Sequence, residues 1–236
     1  RDIVRQQQES QKLTYAQITA LAAVARERGV SIASHDDDSE DKLAFMDGLE
    51  ATISEFPISL DIARAARARG MHTIAGAPNV MLGHSHSGNL SAREAVQAGA
   101  IDVLCSDYYP AALLDAVFTL RDQCGLDIAK AFALVTINPA KAAGIADEVG
   151  SIAVGKRADV LLVREISCGE GEGSGEHPGA RPDGRTARTM PVVTRAFVGG
   201  RSVFRSHYPD QPLGYGRDTE QLVSLDQLTR PLAKAV

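Results

Sequence analysis

Five side chains able to bind metal or move protons stand just beyond apolar stretches of the chain: His35, Glu55, His84, His86 and Asp107. His35 follows Val30–Ser34 and heads an acidic string, Asp36–Asp38. Glu55 lies near the end of Ala51–Phe56 (ATISEF), the two histidines sit in a loop HSHSGN, and Asp107 follows Ile101–Cys105 (IDVLC). Neutral imidazoles and carboxylates are the usual ligands of zinc and other first-row divalent ions, and a catalytic centre leaves one position open for water. Metal bound there lowers the pKa of that water towards neutrality, and Asp107 is then placed to accept its proton as general base. Each residue alone has a plainer reading: a lone histidine is as often structural, and Asp36–Asp38 equally suits a solvated helix-capping run. Recurrence at successive strand ends favours chemistry. Glu55 stays open between ligand, acid/base group and an acceptor that orients an imidazole. Of His84 and His86, one faces the site and the other away.

Such residues converge only if the strands are parallel neighbours, and the sequence has that pattern. Leu13, Ile18, Leu21, Val24 and Ala25 recur at three- and four-residue steps, which predicts a helix over Thr14–Arg28 ended by Gly29. Strands over Val30–Ser34, Ala51–Phe56, Met71–Ala75 and Ile101–Cys105 alternate with helices over Glu40–Leu49, Ser59–Arg69 and 91–98. Asp38 or Ser39 caps the first of these helices, and Ser91 with Glu94 has capping-box spacing at the last. These four βα units have the spacing of a (β/α)8 barrel, whose active sites sit at the C-terminal ends of the strands. Half a barrel leaves open parallel edges. The other four units are therefore expected upstream of this chain, with a second chain as the alternative source. His72 begins its strand at the opposite end and reads as structural.

Helices follow over Ala111–Gln123 and Ile128–Val135, and the texture changes at Gly150. A strand over Ala158–Val163 precedes a hairpin, Met190–Val198 and Arg201–Phe204, turning at Gly199-Gly200. The expected division is a barrel half over 1–149, return strands of a small β domain over 150–205 and a C-terminal tail over 206–236. A flexible insertion rich in Gly, Glu and Pro is expected at 165–189. His177 falls in that insertion and His207 in the tail, so neither is a strong candidate.

The chain has 236 residues, 44% apolar but only 5% aromatic, so its core must be Ala, Val, Ile and Leu, which suits a helix-covered parallel sheet. A net charge of −5 gives no electrostatic case for nucleic acid. No segment approaches ~20 consecutive apolar residues, so no membrane span is expected. The three cysteines, Cys105, Cys124 and Cys168, are too few and scattered for a disulfide framework and read as thiols of a reducing cytosol. In the HSHSGN loop, small residues ahead of a helix expose backbone N–H groups that could hold an anion, with Ser85, Ser87 and Asn89 as neutral donors. On spacing alone an ordinary βα turn is the better reading of that loop.

His35 on a strand end, the strand-terminal Ser106-Asp107 and GSIAVGKRADVLLV (150–163) together resemble the amidohydrolase superfamily. More narrowly, ASHDDDS (33–39), SEFPISLDIARAARARGM (54–71), GAPNV (76–80), SHSGN (85–89) and SDYYPAALLDA (106–116) resemble the PhnM family, the alpha-D-ribose 1-methylphosphonate 5-triphosphate diphosphatases. The likeness covers most of residues 15–165. It implies an α/β fold, the C-terminal half of a (β/α)8 TIM barrel plus a small β-sandwich. It also implies one or two divalent metal ions, zinc ahead of iron or manganese. The implied reaction is hydrolysis of the ribosyl triphosphate to the 5-phosphate and pyrophosphate, ahead of carbon–phosphorus bond cleavage by a lyase complex.

By match, His35 and Asp107 take the ligand and the ligand/base positions on the fifth and eighth strands. The usual sixth-strand histidine is missing; Glu55 occupies that strand end, with His86 on the next loop to compensate. The resulting set is Asp107 and Glu55 for catalysis, His35, His86 and Asp107 for metal, and Asn79, Ser85, Ser87, Asn89 and Tyr109 for substrate. His84 stands where the resemblance leads one to expect glycine. The superfamily's first-strand histidine/aspartate pair and fourth-strand bridging group are expected before Arg1. The expected protein is a cytoplasmic enzyme of a small phosphorylated substrate, without nucleic-acid or membrane partners, a homo-oligomer being left open. The alternatives are an amidohydrolase of a cyclic amide or N-acyl amino acid, and a catalytically silent assembly subunit.

Overall fold

The computed structural model describes residues 13–83, 90–171 and 186–206. In chain order the first elements are α1 (Tyr15–Glu27), β1 (Ala33–His35), α2 (Glu40–Gly48), β2 (Ile53–Glu55), α3 (Leu60–Ala68) and β3 (His72–Gly76). Then come α4 (Ala77–Leu82), α5 (Ala92–Gln97), β4 (Val103–Cys105), α6 (Ala112–Cys124), α7 (Ile128–Ala133) and α8 (Ile137–Ala142). Strands β1 to β4 form one parallel sheet in sequential order. That is the arrangement of half a (β/α)8 barrel.

Local sequence explains where the helices begin. Ser39, Ser59 and Ser91 each turn a hydroxyl onto a first-turn backbone N–H of α2, α3 and α5. Thr14 and Gln17 close a capping box on α1. The helix α4 falls in a stretch to which the sequence pattern assigns no element; Pro78 in its first turn supplies a ready helical φ and gives up an N–H that has no partner there anyway.

Register decides which side chains share a face, because paired residues of adjacent strands point the same way. One row is Ser34, Ser54 and Thr73, all buried. With Ala75 and Leu104 it faces the helix layer, where Ala63, Val80, Ala95, Val117 and Leu120 form the main core. A second cluster, Leu43, Ala51, Ala66 and Met71, fills the space near α2 and α3. The opposite face carries the row His35, Glu55 and Ile74, and beyond it Gly76 paired with Cys105. In a closed barrel that face is the interior.

The small sheet is β5 (Val160–Gly171), β6 (Thr186–Val198) and β7 (Arg201–Arg205), antiparallel in that order. Gly199 and Gly200, at φ 55° and 77°, make the expected tight turn between β6 and β7. The stretch expected as an insertion at 165–189 is partly strand. Glu165, Ile166 and Ser167 pair with Pro191, Met190 and Thr189, so backbone pairing carries on into the Gly- and Glu-rich composition. Arg121 of α6 grips Glu165 of β5 with two hydrogen bonds, 2.8 and 2.7 Å. Those bonds hold the Glu165 carboxyl below its usual range. No helix among the described residues is long and apolar enough to cross a membrane.

Candidate active site

The C-terminal rim of the parallel sheet is where the backbone departs from ordinary geometry. Among the described residues, four that are not glycine adopt positive φ, and three of them follow strand ends: Asp36 (52°), Phe56 (55°) and Asp107 (50°). Left-handed backbone costs such residues about 1 kcal/mol or more and persists only where surrounding contacts enforce it. Here the enforcement is visible. The N–H of Asp36 donates to Glu55 O and that of Phe56 to Ile74 O, both at 2.9 Å, extending each ladder one step past its strand.

On this rim His35 and Glu55 are register partners, with Nε2 and Oε2 3.9 Å apart. The other ring nitrogen, Nδ1, is 3.1 Å from Asp36 Oδ2. The imidazole meets the Phe56 ring edge-on at 5.3 Å. Two strands along, a β-carbon built on Gly76 would lie 3.2 Å from Asp107 Oδ2 and 3.6 Å from Phe56 Cε1. The Asp107 carboxylate therefore rests over the end of β3, and Phe56 touches both halves of the rim. Cys105 completes the floor. Burial pushes its thiol pKa up, and the Glu55 and Asp107 carboxylates add to the rise against the backbone N–H of Asp107.

His35, Glu55 and Asp107 thus all stand at the same end of the sheet, His35 beside Glu55 and Asp107 over Gly76 of β3. Asn79 has its amide engaged elsewhere: Nδ2 donates to Leu90 O (2.9 Å) and Oδ1 accepts from Ala92 N (3.0 Å), tying α4 to the start of α5. Tyr109 is about half exposed, its backbone N–H closing a turn onto Ser106 O. His84, Ser85, His86, Ser87 and Asn89 lie outside the described residues.

Donors of the right kind for a divalent ion are present, and glycine at 76 leaves room for the Asp107 carboxylate. Among the described residues, however, no three of His, Cys, Asp and Glu stand close enough to hold an ion together. They offer part of a ligand set. Phe56, Gly76 and Cys105 shape the rim yet give no sequence signal of their own, because each matters through a neighbour distant in the chain.

A profile of the amidohydrolase family matches residues 6–202. The chain is 45% identical over 145 residues to the alpha-D-ribose 1-methylphosphonate 5-triphosphate diphosphatase of Escherichia coli (strain K12), a match covering 61% of this chain and 38% of that protein. Among solved structures, a D-hydantoinase (dihydropyrimidinase) from Thermus sp. aligns with a TM-score of 0.58 at 16% identity, over 82% of this chain and 61% of that one. An adenosine deaminase from Xanthomonas campestris, solved with bound zinc, aligns with a TM-score of 0.53 at 16% identity, over 82% and 50% of the two chains. These structural likenesses establish the α/β barrel fold of the amidohydrolase type. The chain spans less than two thirds of the length of each of these relatives.

Proposed function

The chain belongs to the amidohydrolase family, and from that premise we propose that it hydrolyses alpha-D-ribose 1-methylphosphonate 5-triphosphate to the 5-phosphate and pyrophosphate. The observation that carries this reading is the 45% identity over 145 residues to an enzyme named for that reaction. The rim geometry agrees with it, since His35 and Glu55 stand 3.9 Å apart and Asp107 lies on the same strand-end rim, where this fold type places its chemistry.

His35, His86 and Asp107 would hold a divalent metal, zinc ahead of iron or manganese, with any further ligands from outside the described residues. Such an ion, when bound, supplies a water acidic enough to act as a nucleophile near neutral pH. Asp107 takes the proton of the attacking water on its carboxylate. The water oxygen bonds to phosphorus, the bond bridging the α- and β-phosphates breaks, and pyrophosphate leaves with the electron pair. Glu55, 3.9 Å from the His35 ring, orients the imidazole or carries a second proton. Phe56 lies on the rim against the His35 ring and close to Gly76. Tyr109 and the polar groups of residues 85–89 contact substrate.

We assign residues 1–149 to the barrel and 150–205 to the small β domain, in a cytoplasmic enzyme with no nucleic-acid or membrane partner. The test is a substrate panel: purified protein with zinc or manganese, offered the ribosyl triphosphate, a hydantoin and dihydroorotate. Pyrophosphate from the first alone is the expected result. Ring opening of either cyclic amide without pyrophosphate would move the protein to another branch of the family.

A further inference from the structure

The acidic string behind His35 is not one solvated cluster. Asp37 is completely buried. Its carboxylate accepts hydrogen bonds from the hydroxyls of Ser34 on β1 and Ser54 on β2, the latter at 2.5 Å. Its backbone carbonyl accepts from Ile58 N at 3.0 Å. Above it lies Lys42 of α2. That ammonium donates hydrogen bonds to His35 O at 2.6 Å and Asp36 O at 2.9 Å, and it forms an ion pair with Asp37 Oδ1 at 3.5 Å. One cation thus holds the carbonyls on both sides of the left-handed turn at Asp36, the turn from which the His35 side chain is aimed.

We propose that Lys42 and Asp37 are positioning residues for His35: the pair locks the Asp36 turn from the helix side of the sheet, so that the imidazole stands against Phe56 and Glu55 on the interior side. The inference rests on the metal-dependent reading of the rim, but only for its consequence. The cause, a fixed imidazole, is a property of the chain itself. Without Lys42 both carbonyls lose their donor, Asp37 becomes a buried carboxylate without a counter-charge, and the Asp36 turn keeps only its backbone bond to Glu55 O against the strain. An imidazole free to swing binds metal less well; loss of such supporting contacts typically lowers metal affinity about 10–100-fold.

The experiment compares wild type, Lys42→Met, Ser54→Ala and a control, Arg67→Met, which breaks a salt bridge at the other end of the sheet. Two quantities are read on each folded sample: the NMR shifts of the His35 ring protons, which sense the Phe56 ring, and zinc affinity by calorimetry. Lys42→Met should move the His35 signals and weaken zinc by about 10–100-fold. Ser54→Ala should do the same to a smaller degree, and it decides the matter if Lys42→Met does not fold. Arg67→Met should lower the melting temperature and leave His35 unmoved. His35 signals unchanged in a folded Lys42→Met protein, or moved as far by Arg67→Met, would overturn the proposal. A wild type that binds no zinc but shows the His35 movement in Lys42→Met overturns the metal reading and upholds the positioning role.

Discussion

Each end of the parallel sheet holds a histidine beside a carboxylate, and the two pairs are built differently. At the N-terminal end His72 Nδ1 lies 2.8 Å from Asp102 Oδ2, and that carboxylate also takes Arg67 Nη1 and Thr73 N, each at 2.8 Å. The side chains of His72 and Asp102 are 26% and 17% exposed. At the C-terminal end His35 and Glu55 stand 3.9 Å apart and are 59% and 34% exposed, each followed by a residue in left-handed backbone. A pair whose carboxylate is already taken by a guanidinium, an imidazole and a backbone N–H serves to hold the fold together. A pair set close but left open to solvent keeps capacity for a ligand, at the cost of local strain that the surrounding fold must offset. Residue type says nothing about which is which; saturation and exposure do.

The sharpest way to break this contrast is to remove one carboxylate from each end. Asp107→Asn should cut pyrophosphate release by about 10²–10⁴-fold, the usual worth of a general base, with an unchanged melting curve. Asp102→Asn should do the reverse. It removes the negative charge and leaves one amide oxygen for Arg67, His72 and Thr73, so denaturant unfolding should show a loss of about 2–3 kcal/mol, below the range for fully buried pairs because these groups are partly exposed. Its turnover at a temperature where it is folded should match wild type.

Smaller effects sharpen the comparison further. Gly76→Ala would press a methyl against the Asp107 carboxylate, 3.2 Å from Oδ2. Turnover should fall by about tenfold, since small misplacements of a reacting group are expensive. Stability should hardly change, because the φ of −77° at Gly76 suits alanine and a stiffer unfolded chain offsets the crowding. The smallest effect belongs to Arg121→Met. The Glu165 carboxyl is held below its unfolded value by Arg121. Its contribution is therefore present above the unfolded pKa and is lost as pH falls through the depressed folded value. In the variant the stability curve should flatten in the acid range, by no more than about 0.5–1 kcal/mol because the pair is partly exposed and screened.

What could be read in the sequence was what neighbours in the chain decide. Apolar runs ending in His35, Glu55 and Asp107 announced the strand ends, and Ser39, Ser59 and Ser91 announced the helix starts. The separation of His72 from the other candidates was legible from its place at the beginning of a strand. Contacts made across the sheet were not legible. Asp36, Asp37 and Asp38 look alike in sequence, yet one flanks His35, one is buried under two strands, and one accepts a hydroxyl from Ser39. Phe56, Gly76 and Cys105 owe their places at the rim to β1, β3 and Asp107, and Lys42 owes its place to a turn on another element. The continuation of β5 and β6 into a Gly- and Glu-rich stretch was hidden for the same reason, because the partner strand and not composition sets its backbone.

The central claim is that the C-terminal rim does chemistry and the N-terminal rim holds the fold. Its most direct test is phosphorus NMR of the ribosyl triphosphate incubated with metal and, in parallel, wild type, Asp107→Asn and Asp102→Asn, all below their melting temperatures. Pyrophosphate should appear with wild type and Asp102→Asn and not with Asp107→Asn. Equal pyrophosphate from Asp107→Asn, or silence from a folded Asp102→Asn, would contradict the account.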